Sequence, residues 1–200
     1  MINVVVGGAT GKLGSLVCKR IIASDDMALM GGTVSPDGEH VGKEIYPGII
    51  GSSPDDIDEL LKGCDVYVDL TSPSAASKII AKIPSSGANI VLGTTAVDQS
   101  VIDEMTRNVE SYGTSALISS NFAIGVNVFW KMCELMAKYL PDYDIEVIEA
   151  HHNKKKDAPS GTAMEAVRRL SATTGIEDIE YGREGAFFIT RAKTNMKYEI

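Results

Sequence analysis

Two hundred residues, 44% of them hydrophobic, can bury one substantial core, or a nucleotide-sized domain with a smaller second lobe. A formal net charge of −8 excludes nucleic acid as a general partner, because phosphate backbones demand a basic surface. No apolar run reaches the roughly 18–20 residues of a membrane span, and residues 1–8 lack the basic start and long apolar core of a signal peptide, so a cytoplasmic protein without a membrane partner is expected.

Val4-Val5-Val6, closed by Gly7-Gly8, predicts a buried strand. From Lys12 to Ser24, Leu13, Leu16, Val17, Ile21 and Ile22 recur close to helical spacing and predict the first helix. A second strand is expected over 28–34, then a polar, glycine-bearing loop over 35–53 in which His40 is a solvated loop histidine. Pro54 opens a helix through Leu61, and a third strand follows over 65–70. A helix over 73–83 carries Ile79, Ile80 and Ile83 on one side. Next come a strand over 89–92, a helix over 98–110 and a fifth strand over 115–119. The cysteines, Cys18, Cys64 and Cys133, are an odd number without CxxC spacing and read as reduced, mostly buried thiols.

Strands alternating with helices predict an α/β fold, a Rossmann-type parallel sheet covered on both faces. Such sheets bind ligands beyond the carboxyl ends of their strands, here Gly7-Gly8, Thr33-Val34, Thr71-Ser72, Gly93-Thr94-Thr95 and Ser120-Asn121. The pattern changes after Asn121. A helix over 125–139 carries Val128, Phe129, Met132, Leu135 and Met136, and a strand over 144–150 delivers His151-His152 at its end. The expected organisation is a dinucleotide-binding domain over 1–122 and a small α+β substrate-binding lobe over 123–200.

Gly8-Ala9-Thr10-Gly11-Lys12-Leu13-Gly14 has GxxGxxG spacing between a strand and a helix. Glycines there permit a tight turn, close approach of backbone to a pyrophosphate, and close helix–strand packing, while the helix start supplies free N–H groups. A NAD-preferring site has an acidic residue about 20 positions further on, against the ribose 2′-OH. Here that stretch reads Thr33-Val34-Ser35-Pro36, with Asp37 and Glu39 later in the loop and Lys12 in the turn. A 2′-phosphate is tolerated, which favours NADPH, with NADH also usable.

An isolated histidine pair is usually a satisfied strand end, and a lysine triplet a solvated face. In this chain His151-His152 and Lys154-Lys155-Lys156 run directly into Asp157-Ala158-Pro159-Ser160-Gly161-Thr162, which has helix-start chemistry with Ser160 as N-cap. That helix is expected over 161–171, with Met164, Val167 and Leu170 as its buried stripe. Its first N–H groups suit a carboxylate, Lys155 can meet that carboxylate from the side, and His151 or His152 can supply a proton. A metal is disfavoured by the lysine charges and by the lack of a third ligand.

The run from His151 and His152 through Lys155 and Asp157 to Ala163 resembles the signature of the dihydrodipicolinate reductase family, also called 4-hydroxy-tetrahydrodipicolinate reductases, of the diaminopimelate and lysine pathway. Gly8 to Gly14, Gly93-Thr94-Thr95, Asn121 to Val128 and Tyr181 to Gly185 add to the resemblance. It implies hydride transfer from NAD(P)H to ring carbon C4 of a small cyclic dicarboxylate, with loss of water. It implies His151 as proton donor, Lys155 assisting it, and His152, Gly161 and Thr162 holding the substrate carboxylates. It assigns Gly8, Ala9, Gly11, Lys12, Leu13, Gly93, Thr94, Thr95, Asn121 and Phe122 to the cofactor, and implies a homo-oligomer, a tetramer in that family. Ser35 departs from the acidic residue that relatives often carry. Family members continue beyond Arg183-Glu184-Gly185. Here 186–191 reads as one strand and 196–200 as the start of another, so uncovered apolar surface is expected on a shortened second lobe. Two other readings stand beside the reductase: a shortened, non-catalytic NADP-binding relative, and a similar reductase of another small dicarboxylate.

Overall fold

The β-branched run after Met1 forms β1 (Ile2–Gly7), whose Val4, Val5 and Val6 are at most 3% exposed. A strand this buried belongs in the middle of a sheet covered on both sides. The computed structural model describes residues 1–151 and 158–181, with the backbone of 198–199, and divides the chain into two units, Met1–Ser119 and Ser120–Ile200. In the first unit β1 is flanked on one side by β2 (Met27–Thr33) and on the other by β5 (Val66–Asp69), β6 (Asn89–Leu92) and β7 (Ala116–Ile118), all parallel. With β3 (Glu44–Tyr46) and β4 (Ile49–Ser52), the seven strands run β3-β4-β2-β1-β5-β6-β7, so the direction of winding reverses at β1, where such sheets bind ligands. The α/β, Rossmann-type expectation holds.

Alternation along β1 feeds two cores. Val5 joins Tyr67, Ile80, Ile83, Ile90 and Met105 on one face, while Val4 and Val6 join Ala9, Cys18 and Ile21 on the other. The helices α1 (Lys12–Ile22), α2 (Ile57–Leu60), α3 (Pro73–Ile79) and α4 (Gln99–Tyr112) connect the strands. Cys18, Cys64 and Cys133 are free and buried.

Residues 35–53 depart from the expected loop. They contain β3 (Glu44–Tyr46) and β4 (Ile49–Ser52), joined through Gly48 at φ 74°. β4 extends the sheet by pairing with β2 at Gly32↔Gly51 and Thr33↔Ser52, and β3 closes the edge antiparallel to it. A Cβ on Gly51 would lie 2.5 Å from His40 O, so the glycine that reads as loop is required by packing. His40 itself is exposed, as expected. Two predicted helices are shorter than their apolar spacing suggests. Pro54–Asp56 is a 3₁₀ turn ahead of α2, and α3 gives way to a second 3₁₀ turn, Ile83–Ser86, where Pro84 cannot continue a helical ladder.

The second unit pairs α5 (Ile124–Tyr139) with α6 (Gly161–Thr174). The buried seam is Trp130, Cys133 and Ala137 against Ala163, Ala166, Val167 and Leu170; Met164, expected in that stripe, is 36% exposed. Val128, Phe129, Met132, Leu135 and Met136 lie 52–55% exposed, so α5 presents an apolar face outward. Residues 144–150 do not form the expected strand among the described residues. Ile145 and Val147 are half-buried on the helix pair while Glu146 and Ile148 are exposed, so the alternation is present without a ladder partner among the described residues. β8 (Ile179–Glu180) pairs in parallel with β9 (Tyr198–Glu199), and the strand expected over 186–191 lies outside the described residues. Among the described residues no helix is long and apolar enough to cross a membrane.

Trp130 is the sole tryptophan and is 1% exposed; its Nε1–H donates to Thr162 O at 3.1 Å, and the Arg169 guanidinium lies 5.2 Å from its ring centroid. Trp130→Ala is expected to cost the second unit roughly 3–5 kcal/mol of stability, read as a lower urea midpoint by circular dichroism.

Candidate functional site

In the first unit, β1 ends at Gly7 and α1 begins after Gly11, an extended N-cap with no side-chain cap. The opening amides of α1 therefore lack intrahelical partners and can meet an anion. Gly8 holds φ 75°, and a Cβ there would lie 2.6 Å from Leu70 O; a Cβ on Gly14 would lie 2.0 Å from Gly8 O. The N–H groups of Gly8 and Ala9 both donate to Thr33 O at 3.0 Å, fixing the turn to the end of β2. A cavity of about 320 Å³ opens over this turn, lined by Gly8, Thr10, Gly11, Thr33, Ser35 and Thr71 among others. A second, of about 200 Å³, gathers Leu13, Thr71, Gly93, Thr94 and Thr95. Six of the residues assigned to the cofactor (Gly8, Gly11, Leu13, Gly93, Thr94 and Thr95) thus line cavities at the carboxyl edge of the sheet. Ala9 is fully buried and Lys12 is exposed.

A buried carboxylate at this edge was not anticipated. The register aligns Ser52, Thr33, Gly7, Asp69 and Leu92 in one row across the strand ends. Asp69 is 0% exposed, and no salt bridge reaches it among the described residues. Its Oδ1 accepts from Thr71 Oγ1 at 2.7 Å, Thr94 Oγ1 at 2.5 Å and Thr71 N at 3.2 Å, and its Oδ2 accepts from Tyr67 Oη at 3.2 Å. Burial first, then the neighbouring Asp69 charge, pushes the Tyr67 phenol well above its ordinary range. Asp69 thereby ties the loop after β5 to the loop after β6, the two segments that shape the smaller cavity. The available signal was an acid closing the apolar strand Val66-Tyr67-Val68-Asp69. Asp69→Ala strands several donors at about 1–3 kcal/mol each, so the first unit is expected to melt at markedly lower temperature by calorimetry.

In the second unit Ser160 caps α6, its Oγ accepting from Ala163 N at 3.1 Å, and places Gly161 and Thr162 in the first turn. Ser160 N donates to Glu149 Oε1 at 2.8 Å, and Ser160 Oγ donates to Glu149 Oε2. His151 Nε2 lies 2.7 Å from the same Oε2. Burial would raise the Glu149 carboxyl, but hydrogen bonds from Ser160 and His151 outweigh it and hold the group below the ordinary glutamate range. Beside this cluster, Asn121 Nδ2 donates to Thr162 Oγ1 at 3.5 Å and Asn127 Nδ2 donates to Asn121 O at 3.0 Å, while Phe122 is 44% exposed. Among the described residues only Ser120 Cβ, at 3.9 Å, would meet a Cβ on Gly161. The lobe therefore joins an imidazole, a carboxylate and a helix N-terminus. His152, Lys154, Lys155, Lys156 and Asp157 lie outside the described residues. A cleft of about 430 Å³ along α5, lined by Phe129, Met136, Tyr143 and Val147 among others, lacks His151 and Ser160.

Two family models match the chain, dihydrodipicolinate reductase N-terminus over residues 2–122 and dihydrodipicolinate reductase C-terminus over residues 125–199. The chain is 43% identical over 195 residues to the 4-hydroxy-tetrahydrodipicolinate reductase of Methanocaldococcus jannaschii, covering 92% of this chain and 71% of that protein. It is 42% identical over 194 residues to the enzyme of the same name from Methanosarcina barkeri, covering 92% and 73%. A dipicolinate-bound dihydrodipicolinate reductase from Paenisporosarcina sp. TG-14 shares the fold, with a TM-score of 0.75 at 23% identity over 100% of this chain and 77% of that one. With the two models together matching nearly the whole chain and relatives above 40% identity, the chain belongs to the dihydrodipicolinate reductase family.

Proposed function

We propose that the chain reduces 4-hydroxy-tetrahydrodipicolinate to tetrahydrodipicolinate in lysine and diaminopimelate biosynthesis. One hydride and one proton enter and one water leaves. The observation that carries this reading is likeness to enzymes of that name over 92% of the chain.

The residues at the sheet edge fit a nicotinamide dinucleotide. Gly8, Gly11 and Gly14 leave no Cβ where the turn closes, and the uncapped start of α1 offers free amides. Residues 1–122 serve as the dinucleotide-binding domain, with Gly8, Ala9, Gly11, Lys12, Leu13, Gly93, Thr94, Thr95, Asn121 and Phe122 holding the cofactor. When bound, NAD(P)H supplies the hydride to C4. NADPH is the preferred form, because Ser35 rather than an acid stands beyond the end of β2 and lines the larger cavity. Residues 123–200 serve as the substrate lobe. His152, Gly161 and Thr162 hold the carboxylates, the amides at the start of α6 adding to their charge-assisted bonds. His151 donates the proton and Lys155 assists it. The three free thiols accord with a cytoplasmic setting.

The test is NADPH oxidation by the purified chain with freshly made 4-hydroxy-tetrahydrodipicolinate. Steady turnover supports the proposal. A folded chain that binds NADPH yet leaves this substrate unreduced refutes it, and leaves a non-catalytic nucleotide-binding relative or a reductase of another dicarboxylate.

A further inference from the structure

Glu149 touches both groups that the proposed chemistry needs. Its Oε2 faces His151 Nε2 at 2.7 Å and accepts from Ser160 Oγ, while its Oε1 accepts from Ser160 N at 2.8 Å. Ser160 Oγ in turn accepts from Ala163 N and caps α6. The Glu149 side chain is only 20% exposed, against 39% for His151, so the carboxylate is the fixed partner and the imidazole the accessible one.

An ionised carboxylate only accepts hydrogen bonds. His151 Nε2 must therefore carry a proton and donate it to Glu149, which leaves Nδ1 as the nitrogen that exchanges a proton with a ligand. When Nδ1 is also protonated, the imidazolium lies against a fixed anion. When Nδ1 gives its proton up, the electron pair stays on the ring and the Nε2–H bond to Glu149 is unbroken. The ring neither turns nor changes tautomer during the transfer.

We propose that Glu149 is a positioning residue: it fixes the tautomer and plane of His151 and ties that ring to the N-terminus of α6, holding proton donor and carboxylate clamp on one anion. The proposal rests on the reading of His151 as proton donor. A purely structural role, a carboxylate anchoring a helix start, would involve the same bonds to Ser160 but would be indifferent to His151.

Glu149→Gln separates the two. An amide presents a donor at one of the two oxygen positions, so it cannot accept from both Ser160 N and His151 Nε2. Imidazole ¹⁵N shifts, simple to assign with three histidines in the chain, are expected to show Nε2–H for His151 at mildly alkaline pH, moving toward Nδ1–H in Glu149→Gln. The expected kinetic effect is a fall in kcat of about 10–100-fold, a larger solvent isotope effect on kcat, and little change in the Kd of NADPH or of pyridine-2,6-dicarboxylate. An unchanged tautomer with wild-type kcat would overturn the proposal. So would a joint loss of kcat, dicarboxylate affinity and melting temperature with the tautomer unmoved, which is the signature of a helix anchor. Full turnover in His151→Ala would remove the proton-donor reading and the proposal with it, although the ¹⁵N spectrum would still register the Glu149–His151 bond.

Discussion

His151→Ala is expected to lower kcat by roughly 10²–10⁴, the usual cost of a lost general acid, while the affinity for NADPH stays near that of the unaltered chain. The split follows from where His151 sits. Its hydrogen bond goes to Glu149, and Glu149 keeps the Ser160 N–H and hydroxyl when the imidazole is removed, so the cap of α6 survives. The glycine turn belongs to the other unit and is untouched. Steady-state kinetics with a parallel NADPH fluorescence titration measures both quantities. Added imidazole should restore part of the turnover, since the carboxylate that would orient it remains. Turnover equal to the unaltered chain would show that the proton comes from elsewhere.

The second large effect is on the cofactor. In Gly14→Ala the new Cβ would lie 2.0 Å from Gly8 O, 2.8 Å from Gly8 C and 3.3 Å from Ala9 Cα, all of them backbone atoms that no rotamer change can move aside. Either α1 moves away from the turn or the turn opens, and both disperse the amides that would meet a pyrophosphate. Overpacking of this kind costs about 1–3 kcal/mol, and at its upper end that is roughly a 10²-fold loss of NADPH affinity. Isothermal calorimetry with NADPH, with a thermal melt alongside, checks it. Unchanged affinity would mean that α1 shifts without disturbing the turn, and that the close approach at Gly14 serves packing alone.

The parallel sheet was legible because its strands are apolar runs closed by small residues and separated by helical periods. β3 and β4 were not, since three- and four-residue strands interrupted by Gly48 and Gly51 carry more turn signal than strand signal. What makes them strands is the exposed edge of β2, which is a tertiary fact. α5 shows the same limit. Phe129, Met132 and their apolar neighbours suggest the buried stripe, yet Trp130, Cys133 and Ala137 are the residues buried, a choice set by α6 rather than by apolar spacing within α5. Ser160 as a cap was readable from its chemistry. Glu149 and Asp69 were not singled out, since an acid at the end of a strand-like run usually terminates the run in solvent. Only the fold brings Ser160 back to Glu149 across eleven residues, or Thr94 to Asp69 across twenty-five.

The three free cysteines have a use unrelated to catalysis. Cys18, Cys64 and Cys133 are 0%, 6% and 8% exposed, and burial pushes each thiol above its ordinary range. A thiol that is both covered and protonated reacts only when the structure around it opens. Cys18 and Cys64 lie in the sheet-bearing unit and Cys133 in the helix pair. Each thiol is therefore a clock for the opening of its own surroundings, and the order in which a colorimetric disulfide consumes them without denaturant ranks the breathing rates of the two units.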